Sequence, residues 1–177
     1  MKRYGGKLAM AVLFVTISSI GMMTGAPVVW AQDPGDSLAK QIQGSWILVA
    51  AINEQDRKNS DTFGPNPKGF LVLTPDGRFS MIMMRASLPK FVANNRLEGT
   101  AEENQAVVQG SQAMFGTYKV TDEIEHTVML HFEGCTFPNW DGQDLPRIMA
   151  VSGDAMTHIN PTAAIGGTNY LVWKRAK

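Results

Sequence analysis

Beyond residue 44 the chain alternates between apolar and polar positions in short runs. Eight segments, 45–53, 68–74, 78–85, 116–121, 126–134, 147–152, 154–160 and 168–175, are rich in Val, Ile, Leu, Met, Phe and Thr and end at turn residues. Each therefore reads as a β-strand. The turns are explicit: Pro75-Asp76-Gly77, Thr121-Asp122-Glu123, Gly153-Asp154 and Gly166-Gly167. Short connections join antiparallel neighbours, so the pattern predicts an all-β, up-and-down sheet of eight strands. An open sheet of that size leaves two bare edges, and closing it into a barrel removes them.

One stretch departs from the two-residue period. Thr100-Ala101-Glu102-Glu103 matches a capping box, in which Thr100 caps the helix and Glu103 reaches back to its amide. Ala106, Val107, Gly110 and Met114 follow at helical spacing, so one helix is predicted between strands three and four. The irregular run 86–99 before it suits a lid or a connection across a barrel end. Residues 32–42 read as a linker and a short helical turn, and 43–177 as the barrel domain.

The N-terminus changes the picture of compartment. Lys2, Arg3 and Lys7 precede an uncharged run from Leu8 to Gly21, and Val29-Trp30-Ala31 offers small side chains where a signal peptidase reads. The expectation is a cleaved signal peptide, residues 1–31, and a secreted or periplasmic protein. An uncleaved anchor is the alternative, but the run is short for a span of about 20 residues. No cysteine near the cleavage point argues for a lipoprotein. Removing 31 residues from 177 leaves 146, enough to bury a core without staples. Of 16 basic residues three are lost and of 16 acids none, leaving a formal charge of −3. No basic stripe suggests a nucleic-acid partner. Stable membrane insertion is not expected after cleavage. Cys135 is the single cysteine, which excludes an internal disulfide and leaves a buried or a reactive thiol.

Several motifs go beyond periodicity. Gly44-Ser45-Trp46 opens the first strand as a G-x-W, and Arg175 closes the last. Phe63-Gly64-Pro65-Asn66-Pro67-Lys68-Gly69-Phe70, Thr74-Pro75-Asp76-Gly77-Arg78, Phe115-Gly116-Thr117-Tyr118, His131-Phe132-Glu133-Gly134, Phe137-Pro138-Asn139-Trp140 and Asn169-Tyr170-Leu171-Val172-Trp173 complete a set. Together they resemble the bacterial and fungal lipocalin-like domain family over about residues 43–176. The resemblance implies a calycin-type barrel in which the Trp closes one end beneath the Arg, and it implies small-molecule binding. Some relatives accompany tailoring enzymes of secondary metabolism, a cytosolic setting that the signal segment does not fit. No catalytic residues carry over.

Candidate chemistry concentrates in 126–147. Thr127, Met129, His131 and Glu133 share one strand face, and His126, Val128, Leu130, Phe132 and Gly134 the other. In one arrangement the apolar set points in. In the other His131 and Glu133 point into a polar pocket, and the motif comparison favours this one. Inward, the pair suits general acid–base work or the anchoring of a polar ligand head. Arg147 would neutralise Glu133, bind an anionic group bidentately or sit as a rim charge. Phe79, Met81, Met83 and Arg85 share a face, either as an adaptable pocket wall or as core filler. Tyr118 offers a phenol to a ligand or satisfies its own hydroxyl in the core. Residues 135–142 read as a rim loop, with Phe137, Asn139 and Trp140 at an opening.

No His-Glu-x-x-His or paired-Cys motif supports a metal, no Gly-x-Ser-x-Gly elbow supports a serine nucleophile, and no cofactor is called for. Three functions compete. One is a secreted barrel binding a small, mainly hydrophobic or amphipathic molecule through Arg85, Met81, Met83, Tyr118, His131, Glu133, Asn139, Trp140 and Arg147. Another is a cofactor-independent isomerase or cyclase using His131 and Glu133. The third is a structural or partner-binding barrel without ligand.

Overall fold

The alternation is realised as one antiparallel sheet that closes on itself. The computed structural model describes residues 36–177, so the expected signal segment and most of the linker lie outside the described residues. In chain order the elements are α1 (Leu38–Ile42), β1 (Gly44–Gln55), β2 (Lys58–Asp61), β3 (Lys68–Leu73), β4 (Arg78–Met84), α2 (Ala101–Gly110), β5 (Ser111–Asp122), β6 (Thr127–Cys135), β7 (Asp144–Ser152), β8 (Ala155–Asn160) and β9 (Thr168–Arg175), with a 3-10 turn at Pro138–Trp140. β1 pairs with β3, each later strand pairs with its successor, and β9 returns to β1. Eight strands thus form a closed calycin-type barrel. β2 only extends it, as a hairpin on the far half of β1. Asp56 and Arg57 make its turn with positive φ, 51° and 61°, as a two-residue hairpin loop of the primed type requires.

Some boundaries differ from those read in the sequence. The helix stops at Gly110, and Met114 lies buried in β5. The reason is the ladder: β5 must start at Ser111 to pair with the end of β4 at Met84. β7 likewise starts at Asp144, three residues before the expected position, and pairs with His131. His126 is a turn residue with φ 52°, not the first of a strand. The capping box at Thr100 forms in full, and it rather than burial fixes α2: only Gly110 of that helix is buried.

Two bulges set which side chains face in. Between Leu48 and Ala50 the β1–β9 register shifts by one, so Trp46 and Leu48 point inward, and then Ala51 and Asn53. On β6 the register slips between Phe132 and Gly134, leaving Glu133 as the extra residue. Opposite it stands Gly116, where a Cβ would fall on the His131 carbonyl. Glycine there is a packing requirement of the bulge.

The two barrel ends differ. At one end α1 inserts buried Leu38 and Ile42, and its first amide is held by Glu123 (2.8 Å). The Trp46 indole donates to the Ile42 carbonyl (2.8 Å). Arg175 lies over the Trp46 ring at 4.1 Å, and its guanidinium donates to the Gln43 and Gln41 carbonyls at 2.8 and 2.9 Å. This half of the interior is apolar: Leu71, Leu73, Phe79, Val128, Leu130, Met156 and Trp173 fill it. The 85–100 excursion, the 136–143 turn and the 161–167 loop surround the other end.

Arg175→Met removes the latch while keeping much of its bulk. A cation over an indole and two charge-assisted hydrogen bonds are lost together, so about 2–3 kcal/mol of stability should disappear. The expected readout is a lower urea midpoint at unchanged slope; an unmoved midpoint would show that the barrel end closes without it.

Candidate ligand-binding site

Strand alternation delivers a polar level inside the barrel near the end away from α1. Asn160 on β8 pairs with Asn169 on β9, which pairs with Asn53 on β1, and all three project inward. Continuing the Ile148↔Ile159 register by one step brings Arg147 of β7 beside Asn160. One level deeper His158 stands across from Met149 and Leu171. Arg147 is 1% exposed and His158 1% exposed, which is unusual for residues that water solvates so well.

Each of the three asparagines has a hydrogen-bond partner. Asn53 donates to Asn169 (2.9 Å) and to the Gly166 carbonyl (2.8 Å), Thr62 donates to Asn169 (3.2 Å), and Asn160 accepts from the Thr162 amide (3.1 Å). They tie the 161–167 loop to the wall. Arg147 and His158 are not satisfied in this way. Arg147 makes one hydrogen bond, to the Pro146 carbonyl at 2.8 Å. The ion pairs among the described residues are Lys40–Asp36, Arg78–Glu133 and His131–Asp144, and Arg147 is in none of them. Neither ring nitrogen of His158 has a partner there, nor does the Trp173 indole nitrogen, which sits one diagonal step from His158 on β9. Buried polar groups are normally paired, so these three mark a place built to be completed.

Electrostatics follow from burial. Desolvation lowers the Arg147 guanidinium to about 10, which leaves it charged at neutral pH. Desolvation, with the Arg147 charge beside it, lowers His158 to about 3 and keeps that imidazole neutral. Burial pushes the Cys135 thiol up, so this half-buried residue at the rim is a thiol rather than a thiolate. Arg147 is clad by aromatic rings, 5.5 Å from the Phe132 centroid and 5.3 Å from that of Trp140. Phe137 braces Trp140 edge-on at 5.6 Å.

The sequence candidates separate into two groups. Arg147, Met81 and Met83 are inside, and Trp140 stands half-buried over Arg147. His131 and Glu133 are outside, which corrects the inward arrangement favoured by the motif. The apolar set Val128, Leu130 and Phe132 takes the interior because burying it removes far more apolar surface from water. His131 pairs with Asp144 at 2.9 Å, and Glu133, carried by its bulge, pairs with Arg78 at 2.6 Å. Arg147 therefore neutralises neither of them, and it is no rim charge. The two carboxylate pairs are solvent-exposed and on opposite sides of the wall from the interior, so a proton-transfer pair within the pocket does not form from them. Arg85 is exposed past the end of β4, where its amide meets the Gly110 carbonyl, and Asn139 is exposed on the 3-10 turn. Tyr118 belongs to the α1 end: its hydroxyl donates to the Thr74 carbonyl (2.8 Å), and burial raises its pKa.

Sequence reasoning missed His158, Asn160, Asn169 and Asn53. Three of these were accessible from strand phase, since His158 and Asn160 follow Met156, and Asn169 precedes Leu171 and Trp173, in steps of two. Asn53 was not, because the bulge shifts its phase. On the outer wall an open depression of about 310 Å3 lies between Val72, Arg78, Ser80 and Phe115. It holds none of the interior polar atoms, so the unpartnered interior groups, and not this hollow, are the candidate site. No three His, Cys, Asp or Glu converge to hold a metal among the described residues.

A family model described as a lipocalin-like domain matches residues 43–176, which includes every strand of the barrel. A search of the curated proteins finds no match.

The histidine makes stability depend on pH. An unfolded His158 takes a proton near 6.5 and the folded one only near 3. Between those values the unfolded state binds more protons, so stability falls as pH falls, by up to about 1.4 kcal/mol per unit from this group. In denaturation series at pH 7, 5 and 4, His158→Leu is expected to gain on the wild type at each step down. A constant difference across the series would contradict a buried neutral imidazole.

Proposed function

The chain belongs to the lipocalin-like domain family, and from that premise we propose that it binds one small, mainly hydrophobic molecule with a polar end inside the barrel. The unmatched Arg147 and His158 carry this reading. An isolated buried cation costs several kcal/mol, and an unpaired buried polar group about 1–3 kcal/mol. A ligand whose polar end meets these groups recovers that cost on binding. Met81, Met83, Met114 and Met149 are buried in the same interior, and unbranched thioethers adapt to irregular apolar shapes. Trp140, half-buried on a short turn against Phe137, Phe132 and Arg147, is the side chain that would move to admit the ligand. The export reading rests on the basic, apolar and small-residue order of the first 31 residues, and places the mature protein outside the cytoplasm.

Two outcomes are expected. Intact-mass measurement of the protein from its own host should show a chain beginning at Gln32; a chain beginning at residue 1 or 2 would overturn the cleavage. Native mass spectrometry of the same material should show a co-purified small molecule at one per chain. Arg147→Met should lower its occupancy by 10- to 100-fold while leaving the empty barrel as stable as, or more stable than, the wild type, because an apolar side chain replaces an unpaired buried charge. Absence of any co-purified molecule, together with an Arg147→Met barrel less stable than the wild type, would favour a structural barrel instead.

A further inference from the structure

Resting on that binding reading, we infer that the polar end of the ligand is a carboxylate, held as a monoanion by the inward edge of Arg147. The interior is rich in unused donors and contains no acid. Its buried polar residues are Asn53, Arg147, His158 and Asn160, and no Asp or Glu is buried among the described residues. The guanidinium has five N–H donors, and one of them reaches the Pro146 carbonyl. Asn169 accepts from Asn53 and Thr62, Asn160 accepts from the Thr162 amide, and none of the asparagines carries a negative charge, so they do not compensate the cation. A neutral ligand head would leave the charge uncompensated, and a cationic head would add to it.

The geometry selects the form of the anion. Phe132 and Trp140 have centroids 5.4 Å apart, and the Arg147 guanidinium carbon is 5.5 and 5.3 Å from them. The three centres make a near-equilateral triangle. Both rings therefore lie to one side of the cation, and they do not sandwich it. The side of the cation away from the rings is left for a ligand, and the planar fork of a guanidinium matches the two oxygens of a carboxylate. The charge count favours one negative charge over two. Arg147 is the one buried cation among the described residues, and the neighbouring His158 stays neutral, so a phosphate dianion would bring a second charge with nothing to meet it.

The test uses the protein from its own host, stripped of bound small molecules, in calorimetric titrations. The probes are dodecanoate, methyl dodecanoate and dodecylammonium, with 2-naphthoate and methyl 2-naphthoate as a flat aromatic pair. For at least one pair the acid is expected to bind ten-fold or more tightly than its ester, and the ammonium probe most weakly. In Arg147→Met the acid's advantage should vanish while ester binding persists, which also shows that the variant barrel is folded. Arg147→Lys should retain part of the advantage, because it keeps the charge and loses the fork. Equal binding of acid and ester to the wild type, or preference for the ammonium, would overturn the carboxylate and leave the binding barrel standing. Failure of all five probes to bind would overturn the binding reading itself.

Discussion

The pairing of β1 with β9 gives this chain an inside. Strands that merely followed one another would make a curved sheet with a wet concave face, and a bare arginine there would be an ordinary surface residue. The seam runs from Trp46↔Arg175 to Glu54↔Thr168, and its first pair also carries the contact of guanidinium on indole. The residue that completes the last strand thus also locks the first. Once the seam is shut, period-two alternation becomes a statement about solvent: every second residue leaves water, whatever its chemistry. Arg147 and His158 are buried because their strands close, not because either favours burial.

That constraint divides the interior. Toward α1 the enclosed side chains are almost all apolar, and Leu38 and Ile42 of α1 are buried against them. Away from α1 the asparagines complete one another, and the charged and heterocyclic groups do not. Close-packed apolar residues of similar size would stabilise the empty barrel more. An interior half left uncompensated at a cost in stability is what is expected where a fold gives up stability for function.

Most of the architecture was legible because it follows from local rules. Strand periods, turn residues and the Thr100–Glu103 capping box each depend on neighbours in sequence, and the closed eight-stranded barrel with its helix follows from them. The missed hairpin strand β2 is polar on both faces, so no apolar rhythm announces it. The site was less legible, since it depends on a binary choice of face that a single residue can invert. At Val49 an extra residue turns Asn53 inward where strict alternation would turn Ile52 inward. At 127–135 the two candidate faces differ in apolar bulk, and bulk decided the outcome against the histidine–glutamate pair. Arg147 was recognised as chemistry from its place after the aromatic loop, but its partner His158 lies in a different strand, and only the register brings the two together.

Trp140 has an optical consequence. Of the three tryptophans among the described residues, Trp46 and Trp173 are fully enclosed in the plugged half, and Trp140 alone rests against the Arg147 charge at the mouth. Indole emission is sensitive to nearby charge and to water. The protein therefore carries its own fluorophore beside that charge, partly exposed where the other two are enclosed. On the proposed binding reading, a guest that displaced that ring or screened the cation beneath it would change the colour of the emitted light, so occupancy would be reported without any added label.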